Sequence, residues 1–326
     1  MKRILLLGFA LFFLGGSKPD KTTIIKIAFG SCSHQDKKQV LWDDVLMENP
    51  DLWIWLGDNI YGDTENMALL LAKYQKQKSD TGYQKLLKTC PVIGTWDDHD
   101  YGENDAGKNY RKRDSSQQEF LDFMGVDKSH PRRKQKGVYS SYSLNKSGIS
   151  IKVLLLDTRY FRDDLLKVNG KNVGQDSGTI LGTEQWNWLE QELKDSEADI
   201  HILASSIQVI PTEHPFEKWG NFPKERARLF DLLLKYKVRN PVFISGDRHI
   251  GEVSKINWKG TWFCEITSSS LTHGWKTRGE EANSFREGQI VYEENFGLLE
   301  ISKSGKLMVQ GKLISDQNKI NAISTF

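Results

Sequence analysis

Asp51-Leu52-Trp53-Ile54-Trp55-Leu56-Gly57-Asp58-Asn59-Ile60-Tyr61-Gly62-Asp63 is the stretch on which the fold turns. Its apolar run, rich in Trp and Ile, reads as a buried strand. Gly57 and Gly62 bracket a loop carrying a carboxylate, an amide, a phenol and a second carboxylate. Open α/β sheets bind ligands just beyond the carboxyl ends of their strands, which is where Asp58 and Tyr61 fall. Asp, Asn and Gly are also ordinary turn residues, so one such junction carries no functional weight. Its recurrence does.

Three more predicted strands end in the same manner. Ile24 to Phe29 runs into Gly30-Ser31-Cys32-Ser33-His34. Pro91 to Trp96 runs into Asp97-Asp98-His99-Asp100-Tyr101-Gly102-Glu103-Asn104-Asp105, and Pro241 to Ser245 into Gly246-Asp247-Arg248-His249. Helical spacing is expected around Val40 to Leu46, over 65–88 with a weak point at Gly82, around Phe120 to Met124, and over Lys224 to Tyr236. A further helix, Glu184 to Lys194, has Thr183 as its expected cap. A hairpin pairs Val138 to Leu144 with Ile149 to Leu156, and the loop Asp163 to Leu181 reads as irregular. Strands Ile200 to Ala204, Thr261 to Thr267, Phe296 to Ile301 and Leu307 to Leu313 complete an α/β pattern. No repeat or linker divides it, so residues 21–326 read as one domain.

At 326 residues, 38% hydrophobic and 27% charged, the chain suits a globular protein with a sizeable core. A net charge of +2 is too small to signal a nucleic-acid partner or an anionic membrane surface. Lys2 and Arg3 precede the apolar segment Ile4 to Leu14 and the small residues Gly15-Gly16-Ser17. Residues 1–20 thus read as an export signal peptide or an uncleaved amino-terminal anchor, giving a periplasmic, secreted or membrane-anchored bacterial protein. Leu14-Gly15-Gly16-Ser17 has the form of a lipoprotein box with Ser in place of the acceptor Cys, which excludes lipidation there. Of three cysteines in an exported chain at least one is unpaired; Cys90 and Cys264 are buried thiols or a disulfide.

Gly30-Ser31-Cys32, Gly57-Asp58-Asn59-Ile60-Tyr61, Trp96-Asp97-Asp98-His99-Asp100 with Asn104-Asp105, and Gly246-Asp247-Arg248-His249 together resemble the alkaline phosphatase D (PhoD-like) family of calcineurin-like metallophosphoesterases. The resemblance implies a central β-sandwich of mixed sheets flanked by helices, in four layers, αββα. It implies Cys32, Asp58, Tyr61 and His249 around one metal. Asp58 would bridge to a second site completed by Asp98, Asp247 and Asn104. A thiolate, phenolate, imidazole and carboxylate suit Fe³⁺, and an oxygen-only second site suits Ca²⁺, with Zn²⁺ or Mg²⁺ as the other candidates. Two departures from the wider superfamily stand out. Cys32 replaces its first Asp-x-His motif, as in the PhoD-like branch, and Ala204-Ser205-Ser206 stands where a Gly-His is usual.

Such a site implies hydrolysis of a phosphate mono- or diester by in-line attack of a metal-bound hydroxide. His99 is the expected acid for the leaving group, or else a hydrogen-bond support for a ligand carboxylate; Asp100 is expected to orient it. His34 and Arg248 are weaker candidates for holding substrate phosphate. Asp157, Arg159 and Arg162 read as a structural ion pair. Trp186, Trp188, Trp219 and Trp275 offer an aromatic substrate wall or simple packing. No protein partner is indicated. The competing reading is a non-catalytic envelope-binding protein that keeps a metal for stability.

Overall fold

The computed structural model describes residues 24–275 and 281–325; the expected leader, 1–20, lies outside them. The run Leu52–Leu56 is a strand with every residue buried. Successive side chains of a strand point to opposite faces. Here both faces are covered: Leu52, Ile54 and Leu56 enter one apolar cluster, Trp53 and Trp55 another. An unbroken apolar run, rather than an alternating one, is what such a strand requires.

In chain order the strands are β1 Ile25–Gly30, β2 Leu52–Leu56, β3 Val92–Thr95, β4 Ser140–Lys146, β5 Ile149–Leu155, β6 Lys167–Val168 and β7 Lys171–Asn172. They continue with β8 Ile200–Ala204, β9 Pro241–Ser245, β10 Gly251–Trp258, β11 Thr261–Ser268, β12 Arg286–Val291, β13 Asn295–Ser304, β14 Lys306–Ser315 and β15 Lys319–Thr325. The helices are α1 Trp42–Met47, α2 Met67–Ser79, α3 Thr81–Thr89, α4 Asp98–Tyr101, α5 Arg113–Phe123, α6 Gly182–Leu193 and α7 Pro223–Lys235.

One sheet is ordered β15-β14-β13-β1-β2-β3, the other β12-β10-β11-β9-β8-β5-β4. Ile25, Ile27 and Phe29 of the first pack with Ile151, Ile202 and Ile244 of the second in a dry layer between the sheets. Outside the first sheet, Trp53 and Trp55 cluster with Trp42, Tyr74 and Phe120 from its helices. Outside the second, Leu203 and Phe243 cluster with Leu189 and Phe230 from α6 and α7. This is the four-layer αββα sandwich. No helix among the described residues is long and apolar enough to cross a membrane.

What positions the site is strand direction. β1, β2 and β3 are mutually parallel, as are β5, β8, β9 and β11. Their carboxyl ends therefore reach one rim, where the two sheets touch: Ser31 Oγ donates to Ser268 O at 3.2 Å and Thr95 Oγ1 to Leu156 O at 2.7 Å. Gly246 permits this approach, because a Cβ there would stand 2.4 Å from Ser31 Oγ and 3.0 Å from Leu56 O.

Several local expectations are corrected. The helix expected over 65–88 is two helices, broken at Asp80 rather than Gly82. The Asp80 carboxylate accepts from Gly82 N and Tyr83 N and so starts α3. Thr183 does not cap α6; that helix begins at Gly182, whose N–H donates to Thr179 Oγ1. The loop Asp163 to Leu181 contains the small hairpin β6–β7. Strands β10, β12 and β15 were not foreseen. All three cysteines are buried free thiols, with Cys90 outside the first sheet and Cys264 between the sheets.

Candidate metal centre

Each strand end turns sharply to aim its polar residue at the rim. Gly57 turns with φ +95°, and a Cβ there would lie 2.4 Å from Asp97 Cβ. Cys32, Asp58, Asp247 and His249 sit at φ 57°, 48°, 70° and 55°. Left-handed backbone costs a non-glycine residue about 1–3 kcal/mol, and it persists where surrounding contacts over-determine it. Such residues also occur in turns elsewhere, at Asn49, Ser147 and Asp195 among others, but these four belong to the rim loops.

Cys32, Asp58 and His249 form a buried group whose ligand-type atoms all lie within 4.8 Å of one another. Asp58, Asp98 and His99 form a second such group, and Asp97, Asp98 and Asp247 a third. Cys32 Sγ stands 3.4 Å from Asp58 Oδ2, and Tyr61 OH 3.2 Å from His249 Nε2. Asp58 belongs to the first and second of these groups, and Asp98 to the second and third. Asp98, Asp247, Asn104, His99 and Arg248 line a cavity of about 300 Å³ above them.

The electrostatics are those of a cation site. Burial, then the charges of Asp98 and Asp97, push Asp58 well above the usual carboxylate range. Asp247, deep in the protein though open to the cavity, is raised by burial and by Asp97 and Asp98. Burial and the neighbouring Asp58 raise the Cys32 thiol. Burial alone would raise Asp98, but the charges of Arg159 and His99 hold it below its ordinary value. Burial lowers His249 to about 3, with His273 and His99 adding to the effect, so this imidazole stays neutral and keeps a lone pair. Crowded buried carboxylates beside a thiol and a neutral imidazole are an unfavourable set that positive ions relieve. The residues present fit a two-ion centre.

Cys32, Asp58, Tyr61, Asp98, Asp247 and His249 are thus brought together. Asn104 is on an exposed turn at the cavity wall. His34 stacks on Tyr61, ring centroids 4.9 Å apart, at the rim. One expectation fails: Asp100 does not orient His99. Its buried carboxylate accepts from Asn59 N at 3.1 Å, Asp97 N at 3.0 Å and Tyr74 OH at 3.2 Å, tying the β2 and β3 loops together. Asp63 takes that place instead, 2.6 Å from His99 Nδ1. Trp186 and Trp219 are core, with Trp188 against it, whereas Trp275 lines the cavity and stacks on His249 at 4.8 Å.

Other residues were missed. Ser269, at the end of β11, contacts Cys32 Sγ at 3.2 Å and accepts from His249 N at 2.8 Å. A Ser-Ser-Ser run offers no chemical signal for this. Arg159 is a structural ion-pair residue as expected, but its partners are Asp97 and Glu217, with Arg162 on Glu217, rather than Asp157. The Asp157 carboxylate instead caps its own turn, accepting from Arg159 N and Tyr160 N. Ser206 Oγ joins this network, donating to Asp97 Oδ1 at 2.7 Å, and so supports the centre from beneath. Removing one partner of a buried ion pair strands the other charge. Arg159→Met is therefore expected to cost about 3–5 kcal/mol in urea unfolding, and a loss below about 1 kcal/mol would contradict the network's role.

A profile of the PhoD-like phosphatase family matches residues 27–315. The chain is 24% identical to alkaline phosphatase D of Bacillus subtilis (strain 168) over 332 residues, an alignment covering 86% of this chain and 55% of that protein. It thus spans about half the length of that curated relative. Among solved structures, that of PhoD superposes with a TM-score of 0.70 at 20% identity, covering 93% of this chain and 68% of the other. A dimetal phosphatase from Danio rerio gives 0.54 at 12% identity, covering 92% and 98%. With the profile spanning nearly the whole sandwich and every rim loop described above, the chain belongs to the PhoD-like phosphatase family.

Proposed function

We propose that the protein is an exported, metal-dependent phosphoric ester hydrolase. The observation that carries this is the meeting of Cys32, Asp58 and His249 with Asp98 and Asp247 on one rim, from strands more than two hundred residues apart. Cys32, Asp58, Tyr61 and His249 would hold Fe³⁺, and Asp58, Asp98, Asp247 and Asn104 would hold Ca²⁺; Zn²⁺ and Mg²⁺ suit these donors less well. Bound there, two such cations would supply Lewis-acid activation of water and charge stabilisation for displacement at phosphorus.

The chain's own residues do the rest. His99 lines the cavity, and its Nδ1 is held by Asp63, which leaves Nε2–H for the departing oxygen. Burial opposes the proton on His99, but Asp98 and Asp63 raise its pKa to about 9. An acid acts while protonated, so turnover should fall as pH rises through that value. Asp63→Asn keeps a hydrogen-bond acceptor but removes the charge. The alkaline limb of the kcat profile is then expected to move to lower pH, and an unmoved limb would remove His99 from the proton transfer.

The whole assignment is tested by elemental analysis of natively purified protein together with a panel of phosphate mono- and diesters. Two bound metals and turnover of at least one ester class are expected. Fully metallated protein that turns over none would favour a metal-stabilised binding protein.

A further inference from the structure

Arg248 lies between Asp247 and His249 and lines the same cavity. It is 1% exposed. The guanidinium lies over the Phe216 ring, 4.3 Å from its centroid, and 5.8 Å from that of Trp275. Stacking of this kind fixes the plane of the fork and leaves its edges for hydrogen bonds. Those edges are incompletely used. Nη2 donates to Glu281 Oε2 at 2.5 Å, while the buried Nε–H has no partner among the described residues. A guanidinium offers five donors and reaches full strength with an oxyanion gripped at two of them. Here, among the described residues, a carboxylate takes one corner and a buried donor is left without a partner.

The position adds a second consideration. In an ion-loaded centre Arg248 stands beside the ligand Asp247, and its charge is repelled by the cations unless a further anion faces it. Glu281 supplies a single carboxylate, its side chain 16% exposed against 2% for that of Arg248. The more open partner of such a pair is the one a ligand displaces at lower cost, since it regains hydration on release.

We propose that Arg248 recognises a second oxyanion on the leaving portion of the ester, and that Glu281 is its internal competitor, displaced when that group arrives. This rests on the reading of the crevice as a phosphate-ester site. It defines a substrate class: esters carrying a carboxylate or a further phosphoryl group beside the phosphate attacked.

The test is calorimetric and needs no turnover. Metal-loaded protein is titrated with propylphosphonate, 3-phosphonopropionate and propane-1,3-diphosphonate. Both tailed probes are expected to bind more tightly than propylphosphonate. A preference confined to one of them identifies which oxyanion is taken. Glu281→Gln should strengthen the tailed probes by about tenfold and leave propylphosphonate within about twofold, the scale of one partly buried charge pair. Arg248→Gln should abolish the preference, with melting curves confirming that each variant is folded; if Arg248→Gln does not fold, Glu281→Gln alone decides. Equal response of all three probes to Glu281→Gln, or no preference in the wild-type protein, overturns the proposal. Failure of propylphosphonate itself to bind overturns instead the ester-site reading beneath it.

Discussion

Stripped of metal by a chelator, the protein is expected to lose ester hydrolysis and to melt on the order of 10 °C lower, with the larger loss at pH 8 than at pH 5. The size follows from mass action. Each ion bound well above its dissociation constant adds a few kcal/mol to the native state alone. The pH dependence follows from the carboxylates. Asp58 and Asp247 are raised well above their ordinary values in the metal-free fold, and Asp97 is raised to about 7, by burial against the pull of Arg159. A group whose folded pKa is raised contributes its stability below the unfolded pKa and loses it as pH rises through the folded one. The share of metal-free stability that these carboxylates contribute is accordingly greatest in weak acid and falls from about pH 4 upward through 7, the Asp97 window. His249, lowered to about 3, runs the other way below its ordinary range but is neutral in the fold at both pH 5 and pH 8. Asp98 runs the other way, but its window lies below the ordinary carboxylate range and leaves the comparison untouched. Bound cations replace protons as the partners of these charges, so the chelated and loaded proteins diverge as pH rises. Melting curves at the two pH values decide it. A chelator effect that is absent, or larger at pH 5, would contradict the two-ion centre.

The second large effect is expected from Asp58→Asn. Asp58 is 1% exposed and shares one group with Cys32 and His249 and another with Asp98 and His99. The substitution keeps the volume and an acceptor for His99 N, which stands 3.4 Å from Asp58 Oδ1. It removes the one carboxylate that groups both with Cys32 and His249 and with Asp98 and His99. Losing several kcal/mol of charge stabilisation corresponds to about a thousandfold or more in kcat/KM. In chelator at pH 8 the sign reverses. The variant no longer carries a buried carboxylate whose ionisation disfavours the fold, and it should melt above the metal-free wild type. Activity down and metal-free stability up is a combination that a merely damaged fold does not produce. A variant that melts lower than the wild type in chelator would mean that the Asp58 carboxylate is structural.

Much of this clustering was legible because its candidate ligands come from short stretches in which an apolar strand ends and a Cys, Asp, Tyr or His follows at once. Those stretches announce themselves in composition and order. Asp63 was less legible, since a carboxylate two residues beyond Tyr61 looks like any turn residue; only the fold carries it to His99. The Asp100 expectation failed for a related reason. Adjacent residues in a tight turn point in different directions, and Asp100 turns inward to the amides of Asn59 and Asp97. Ser206, Ser269, Glu217 and Glu281 carry side chains so common at surfaces that nothing local marks them.

The order of amino acids was sufficient for the apolar strands that lead to the rim, the α/β class and the candidate donors at four strand ends, because burial on both faces demands unbroken apolar runs and each candidate donor lies within a few residues of its strand. It did not reveal β10, whose residues mix polar and apolar. The layering of two sheets decided what those donors can do together. It set Asp98 low and Asp58 high on one rim, gave His99 to Asp63, placed Arg159 beneath the carboxylates and left Arg248 half satisfied in the cavity wall. Those outcomes depend on distances of a few ångströms between groups far apart in the chain, and Coulomb and hydrogen-bond energies are settled at that range.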